Sequence, residues 1–338
     1  MKTIVLEQPG RFRLAEAADP EAPRPGEALV RVHRVGVCGS DLHAFRGRQP
    51  FFTYPRIVGH ELGVEVLAVG PGVTDVTPGE RCAVEPYLAC GQCIACRRGK
   101  TNCCTRLQVL GVHVDGGMRE RFTVPVRQLH PSRRLSLDDL ALVEMLTIGA
   151  HAVRRAALAP GESVLVVGSG PIGLSTATFA RLAGAKVLVL EISEWRRRFC
   201  LAHLPDVQIL DGTGNVPAEL EALLGGDLPT AVFDATGNAP SMVQALSYVA
   251  NGGKLIFVSL VQADLTFHDP EMHRRELTLL RSRNATAEDF SWALQMVEEG
   301  KIDLRPWITH RAKADEMVAA FPAWLNPEAG VMKAVVEF

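Results

Sequence analysis

Between residues 163 and 182 the chain passes from a short apolar run, Ser163-Val164-Leu165-Val166-Val167, through Gly168-Ser169-Gly170-Pro171-Ile172-Gly173, into a helical stretch from Ile172 to Leu182. Glycines spaced G-x-G-x-x-G at a strand-to-helix joint allow a tight turn, close helix-on-sheet packing and backbone approach to a bound group. The helix that starts there leaves free N–H groups facing an anion. Further apolar runs follow at Lys186–Leu190, Val207–Leu210, Ala231–Phe233, Leu255–Val258 and Leu277–Leu280, with helical stretches between them. Strands alternating with helices at this spacing predict βαβ units, so residues 150–285 are expected to form a doubly wound parallel sheet. Glu191 ends the second run, 18 residues past Gly173. An acid at that place holds the ribose hydroxyls of a dinucleotide and repels a 2′-phosphate. NAD is therefore expected rather than NADP, with Gly168, Gly170, Pro171, Ile172, Gly173 and Glu191 as its contacts. Arg196, Arg197 and Arg198 are expected to form a solvated helix face.

The remainder has a different texture. Up to about residue 145, short runs of branched residues such as Ala28–Val32, Gly63–Val69 and Arg121–Val124 lie between glycines and prolines, and little helix is expected. After Ala287, an amphipathic helix carries Phe290, Ala293, Leu294 and Val297 on one face, and the final run, Met332–Phe338, is strand-like. Residues 1–149 and 286–338 are accordingly expected to form one β-rich domain around the 150–285 insertion. The chain of 338 residues has a net charge of −2, which argues against a nucleic-acid or anionic-membrane partner. The uncharged stretch from Ser163 to Ala180 is the glycine-rich turn region, so no membrane span is expected. An acid as early as Glu7 disfavours a secretory signal, and a cytoplasmic location is expected.

Five of the eight cysteines fall between Cys90 and Cys104. Cys90-x2-Cys93-x2-Cys96-x7-Cys104 offers four thiolates in one hydrophilic loop, the donor set of a closed structural zinc site. Cys103 competes with Cys104 as the fourth ligand, with Cys104 favoured. A second constellation, Cys38-Gly39-Ser40-Asp41-Leu42-His43 with Gly59-His60-Glu61, holds a thiolate, two imidazoles and two carboxylates. Catalytic zinc needs three protein ligands and one open position, which Cys38, His60 and Glu61 can supply. Glu144, an acid inside the apolar run Ala141–Leu146, needs a buried partner; it is either a further ligand or the holder of a metal-bound water. Asp41 is expected to orient His60 through its second nitrogen. Two zinc ions per chain are expected.

Taken together, these motifs resemble the zinc-dependent medium-chain dehydrogenase family across the whole length, in the family's order and spacing. The resemblance implies a GroES-like β-rich catalytic domain interrupted by a Rossmann domain, with the active site in the cleft between them. It also implies a proton relay through Ser40 and His43, and a homo-oligomer, a tetramer or a dimer. Glu144 stands where simple alcohol dehydrogenases often have a cysteine, as in the polyol and threonine branch, although Met145 replaces the proline usual there. Phe51–Arg56, Asn102-Cys103-Cys104, Gly111–Gly117 and Ser282–Thr286 further resemble bacterial L-galactonate and L-gulonate 5-dehydrogenases. The expected substrate is therefore a small polyhydroxylated sugar acid, oxidised at a secondary hydroxyl to a ketone. Arg283, ranked first, Asn284 and His113 are the candidate substrate contacts, with Arg281 and Arg48 behind them; a guanidinium suits bidentate binding of a carboxylate. Two other readings stand beside this one: a polyol or threonine dehydrogenase with the same zinc chemistry, and a non-catalytic protein that holds zinc and a dinucleotide.

Overall fold

The computed structural model describes residues 1–338. Following the chain, a hairpin of β1 (Lys2–Gln8) and β2 (Arg11–Glu16) leads to β3 (Glu27–Val37), α1 (Gly39–Phe45), β4 (Glu61–Val69), β5 (Arg81–Val84) and β6 (Tyr87–Leu88). Next come α2 (Ile94–Arg97), β7 (Gln108–Val109), β8 (Arg121–Pro125), β9 (Leu129–Pro131) and α3 (Leu137–Ala156). An alternating series follows: β10 (Ser163–Val167), α4 (Pro171–Leu182), β11 (Lys186–Glu191), α5 (Glu194–His203), β12 (Gln208–Asp211), α6 (Val216–Leu223) and β13 (Ala231–Asp234). It continues through α7 (Ala239–Gln244), β14 (Lys254–Phe257), α8 (Asp269–Arg274) and β15 (Thr278–Arg281). The chain ends with α9 (Ala287–Glu298), β16 (Ile308–Lys313), α10 (Ala314–Trp324) and β17 (Lys333–Glu337).

Two compact units result: Met1–Met145 with Thr286–Phe338, and Leu146–Ala285. The division falls inside α3, four residues before the 149/150 boundary expected from the change in texture. No glycine or proline marks it, because the helix runs on unbroken. That helix is absent from the expectations for the first 145 residues; most of its turns are buried, so it lacks the polar stripe by which an amphipathic helix is read.

In the first unit, β16-β17-β3-β4-β5-β9 form a continuous sheet, with β8 also paired to β3. Alternate residues of its strands, including Val30, Val32, Val64, Val66 and Phe122, meet Met317 and Phe321 of α10 in one core. Strand register places three chain segments side by side: β17 lies beside β3 with Ala334 opposite Val37, and β3 lies beside β4 with Gly36 opposite Glu61. In the second unit the sheet order is β12-β11-β10-β13-β14-β15, with every pairing parallel. The order doubles back at β10, and β10 feeds directly into the glycine-rich turn. No helix is long and apolar enough to cross a membrane.

Candidate metal centres and dinucleotide turn

Two groups of donors converge. The sulfurs of Cys90, Cys93, Cys96 and Cys104 all lie within 4.8 Å of one another. α2 begins on Cys93 and presents Cys96 one turn later, while Cys104 accepts N–H bonds from Cys90 (3.2 Å) and Arg106 (3.4 Å). Cys103 is exposed and stands outside the group. Backbone N–H groups of Gln92 and Cys93 lower the Cys90 thiol to about 7, and those of Cys96 and Thr105 lower Cys93 to about 5. Burial, followed by the Cys93 sulfur, pushes Cys96 up to about 12. Four soft donors in one small loop, some of them held as thiolates by the backbone, fit a zinc ion with no open position.

The second group is Cys38, His60 and Glu61, whose ligand atoms also lie within 4.8 Å of one another. Cys38 follows β3 and caps α1, and Glu61 opens β4 with its side chain fully enclosed. His60 is held by the pairing of residues 57–59 with 116–118: Gly116 donates to Ile57, Gly117 to Gly59 and Met118 to Val58. The Gly111–Gly117 stretch therefore buttresses His60, with Arg56 and Asp115 (3.2 Å) tying it to the Phe51–Arg56 stretch. His60 Nδ1 is buried without a hydrogen-bond partner. Burial would keep this imidazole neutral, but the Cys38 sulfur and the Asp41 and Glu144 carboxyl groups outweigh it and hold its pKa well above the ordinary range. An orphaned imidazole nitrogen inside an excess of negative charge fits a divalent cation.

Asp41 does not orient His60 as expected. Its Oδ1 lies 4.0 Å from Nδ1, beyond hydrogen-bond reach, because Oδ2 is engaged by the Cys38 N–H (3.0 Å) at the start of α1. Ser40 Oγ lies 3.4 Å from His60 Nε2, and His43, one turn along α1, is exposed to solvent. Glu144 is buried on α3 and stands outside the three-donor group; it accepts a hydrogen bond from the Tyr87 hydroxyl. Burial and the nearby Glu61 raise the Glu144 pKa, while His60 and Tyr87 pull it the other way without cancelling the rise.

In the second unit Gly170 caps α4 and Pro171 occupies its first turn. Gly168 has φ +88°, and a Cβ at Gly173 would lie 1.8 Å from the Gly168 carbonyl oxygen. Glu191 closes β11 beside this turn, accepting from Ser169 N–H (2.8 Å), Ser169 Oγ (3.0 Å) and Ser193 N–H (2.9 Å). The three arginines differ from the single solvated face expected of them. Arg197 bonds the Glu191 and Ile192 carbonyls and pairs with Asp211 (2.9 Å), and Arg198 pairs with Glu194. Arg196 reaches back over the turn, its Nη1 3.7 Å from where a Gly170 Cβ would be.

Among the candidate substrate contacts, Arg283 is exposed, and Asn284 takes a left-handed φ of +52° with its Nδ2 buried and unpartnered. His113 Nδ1 accepts the Val109 N–H (3.1 Å), and its ring stacks on exposed Phe51. Arg281 is committed elsewhere, lying over the Phe257 ring and donating to the Ser259 carbonyl.

Residues 24–134 match the alcohol dehydrogenase GroES-like domain model, and residues 171–299 match that of the zinc-binding dehydrogenases. L-galactonate-5-dehydrogenase of Escherichia coli K12 is 41% identical over 341 residues, covering 100% of this chain and 99% of that protein. The chain belongs to the zinc-binding alcohol dehydrogenase family. A second relative of this family, 2-dehydro-3-deoxy-L-galactonate 5-dehydrogenase of Pseudoalteromonas atlantica, is 32% identical, with 94% of this chain and 93% of that protein covered. An alcohol dehydrogenase of Escherichia coli CFT073, solved with NADH, superposes with a TM-score of 0.92 at 28% identity, covering 100% and 99% of the two chains. The GroES-like and Rossmann-type architecture expected from the sequence is that of this family, and the chain is a dehydrogenase.

Two partners of this dehydrogenase's donor set escaped sequence reasoning. Tyr87 donates to Glu144, and Lys333 of β17 binds both oxygens of Glu61. A signal for Lys333 was available: a charge set in an apolar strand, the pattern that drew attention to Glu144. Tyr87 gave none, since a tyrosine in a short β-strand needs no special explanation.

Proposed function

We propose that this chain is a zinc- and NAD-dependent dehydrogenase that oxidises a secondary hydroxyl of a hexonate, L-galactonate or a close relative such as L-gulonate, at C5 to the ketone. The convergence of Cys38, His60 and Glu61 carries the chemical part of this reading, and the full-length likeness to L-galactonate-5-dehydrogenase supports the substrate class. Zinc, when bound, supplies a Lewis acid that eases loss of the hydroxyl proton near neutral pH, and NAD supplies the hydride acceptor.

The chain's own residues do the rest. Cys38, His60 and Glu61 hold the catalytic metal, and Cys90, Cys93, Cys96 and Cys104 hold the structural one. Ser40 takes the hydroxyl proton and passes its own toward His43, exposed one turn along α1, which delivers it to solvent. Glu144, fixed by Tyr87, would hold a water beside the metal ligands until substrate displaces it. In the Leu146–Ala285 unit the N–H groups after Gly170, with Pro171 and Ile172, receive the pyrophosphate, Gly168 and Gly173 shape the turn, and Glu191 accepts from the adenosine ribose hydroxyls. Arg283 meets the substrate carboxylate, with Asn284 and His113 on its hydroxyls. The enzyme works in the cytoplasm as a homo-oligomer.

Assay of hexonates against hexitols and L-threonine, each with NAD and with NADP, tests this reading. Turnover of hexonates with NAD is expected, and activity confined to neutral polyols or threonine would overturn the sugar-acid assignment. Cys38→Ser should lower bound zinc from two ions per chain to one and abolish nearly all turnover while NADH still binds. Two zinc ions and unchanged turnover in that variant would remove the catalytic metal from the scheme.

A further inference from the structure

Lys333 is the only lysine among the buried residues. Its ammonium lies 2.7 and 2.8 Å from the two oxygens of Glu61 and 3.2 Å from the Val37 carbonyl, so its three N–H donors meet three oxygens. The side chains of the pair are 2% and 0% exposed. Burying such a pair is costly, and apolar residues of similar volume often stabilise a core as well or better. The pair therefore calls for a reason other than packing.

The sheet builds this contact directly into the metal centre. β17, β3 and β4 are neighbours, and the register that sets Ala334 against Val37 brings Lys333 beside Cys38 at the end of β3. On the other side of β3, Gly36 faces Glu61. A Cβ at Gly36 would lie 2.2 Å from Glu61 Oε2, so the missing side chain is the gap through which the carboxylate crosses β3 to reach the ammonium. Cys38 and Glu144 are also close enough to act on Lys333 electrostatically.

We propose that Lys333 is a positioning residue of the catalytic zinc site, holding the Glu61 side chain so that it is shared between ammonium and metal. The proposal rests on the assignment of Cys38, His60 and Glu61 as that site's ligands. Each carboxylate oxygen has two lone pairs, so an oxygen bonded to Lys333 still has one for a cation. A carboxylate whose charge is already half-spent on an ammonium neutralises the metal less, and the ammonium repels any cation that the same carboxylate binds. Zinc is then held more weakly and acts as a stronger Lewis acid than it would beside a free glutamate.

The test uses the full-length protein with Lys333→Met, which keeps the length and removes the charge, and Lys333→Arg, which keeps the charge. Zinc affinity is read by chelator competition, the metal's surroundings by the visible spectrum of the cobalt-substituted protein, and catalysis by the pH profile of kcat. Lys333→Met should bind zinc at least about tenfold more tightly at one of its two sites, shift the cobalt spectrum, lower kcat and move the acid limb of the profile to higher pH. Lys333→Arg should return all four toward wild type. Unchanged or weaker zinc binding in Lys333→Met would overturn the proposal. If that variant is too unstable to purify without metal, the rise in its Tm on adding zinc must exceed that of the wild type, and an equal or smaller rise overturns the proposal too. Wild-type protein that binds a single zinc would defeat both the site assignment and the proposal, whereas a two-zinc wild type with an indifferent Lys333→Met would defeat the role of Lys333 alone.

Discussion

Gly173→Ala is a one-carbon change whose effect is dictated by the backbone alone. The added Cβ would sit 1.8 Å from the Gly168 carbonyl oxygen and 2.8 Å from its carbon. Real Cβ contacts do not fall below 3.0 Å, so the turn and the first residues of α4 must separate by at least 1.2 Å. No flexible side chain can absorb this, because the obstacle is main chain. N–H donors displaced by that amount leave the roughly 2.7–3.2 Å range of a good hydrogen bond. A hydrogen bond to a charged group contributes about 1.5–3 kcal/mol, and losing one such bond to the pyrophosphate corresponds to roughly 10- to 150-fold in affinity. The overpacking itself should cost the fold about 1–3 kcal/mol, so the unit should remain folded. Titration of NADH fluorescence should therefore give a Kd raised by one to two orders of magnitude, with zinc content still at two ions per chain. NADH affinity equal to that of the wild type, in a variant with an unchanged melting transition, would refute the assignment of this turn to the pyrophosphate.

Three further perturbations test other parts of the molecule. Cys93→Ala opens the four-thiolate group and should release one zinc; a loss of roughly 3 kcal/mol would lower Tm by about 6–12 °C, and a variant with wild-type Tm and both ions would contradict a structural role for the loop. Tyr87→Phe removes the buried donor to Glu144 with almost no change in volume, and urea unfolding should show a loss of about 1.5–3 kcal/mol; equal stability would mean that the phenol contributes nothing to holding that carboxylate. Asp138→Asn cuts the link between Arg34 (2.8 Å) and Arg311 (2.6 Å). Burial alone would raise the Asp138 pKa, but the two guanidinium groups outweigh it and hold it below the ordinary 3.8. A depressed carboxylate contributes stability that is fully present above the unfolded-state pKa and lost as pH falls through the folded value. The stability gap between wild type and Asp138→Asn should therefore be constant near neutrality and close below about pH 4, and a gap that persists at acid pH would argue against the ion pair as its source.

Much of this architecture was legible because its signals are local. The parallel sheet shows as apolar runs at regular intervals, each strand being buried on both faces, and the glycine-rich turn comes directly after the first run. The thiolate loop spans fifteen residues of sequence, so its spacing alone brings the four sulfurs together. Cys38 and His60-Glu61 are farther apart, yet they sit at the end of β3 and the start of β4, neighbours in the sheet. The features that stayed hidden lie in contacts set by tertiary register. The twenty-residue helix α3 is buried over most of its length and so shows no polar stripe. Asp41 carries the right charge at the right distance along the chain, but the start of α1 claims its carboxylate for the Cys38 N–H, which spacing cannot reveal.

The same distinction separates the two buried acids beside Cys38. Glu61 and Glu144 have equivalent chemistry, and the sequence leaves open whether Glu144 joins Glu61 as a ligand. Their partners separate them: an ammonium from the last strand of the chain grips Glu61, and a neutral hydroxyl from β6 grips Glu144. The phenol occupies only part of the lone-pair capacity of Glu144, and the remainder can hold a water by hydrogen bonding. An ammonium divides the charge of Glu61 between two cations once metal is present. The difference in role therefore resides less in the glutamates than in Lys333 and Tyr87, which are respectively 272 and 57 residues away along the chain. A centre of this kind is specified twice: its donors by short motifs, and the partner each buried acid meets by tertiary packing, through strand register for Glu61 and through the contact of α3 with β6 for Glu144.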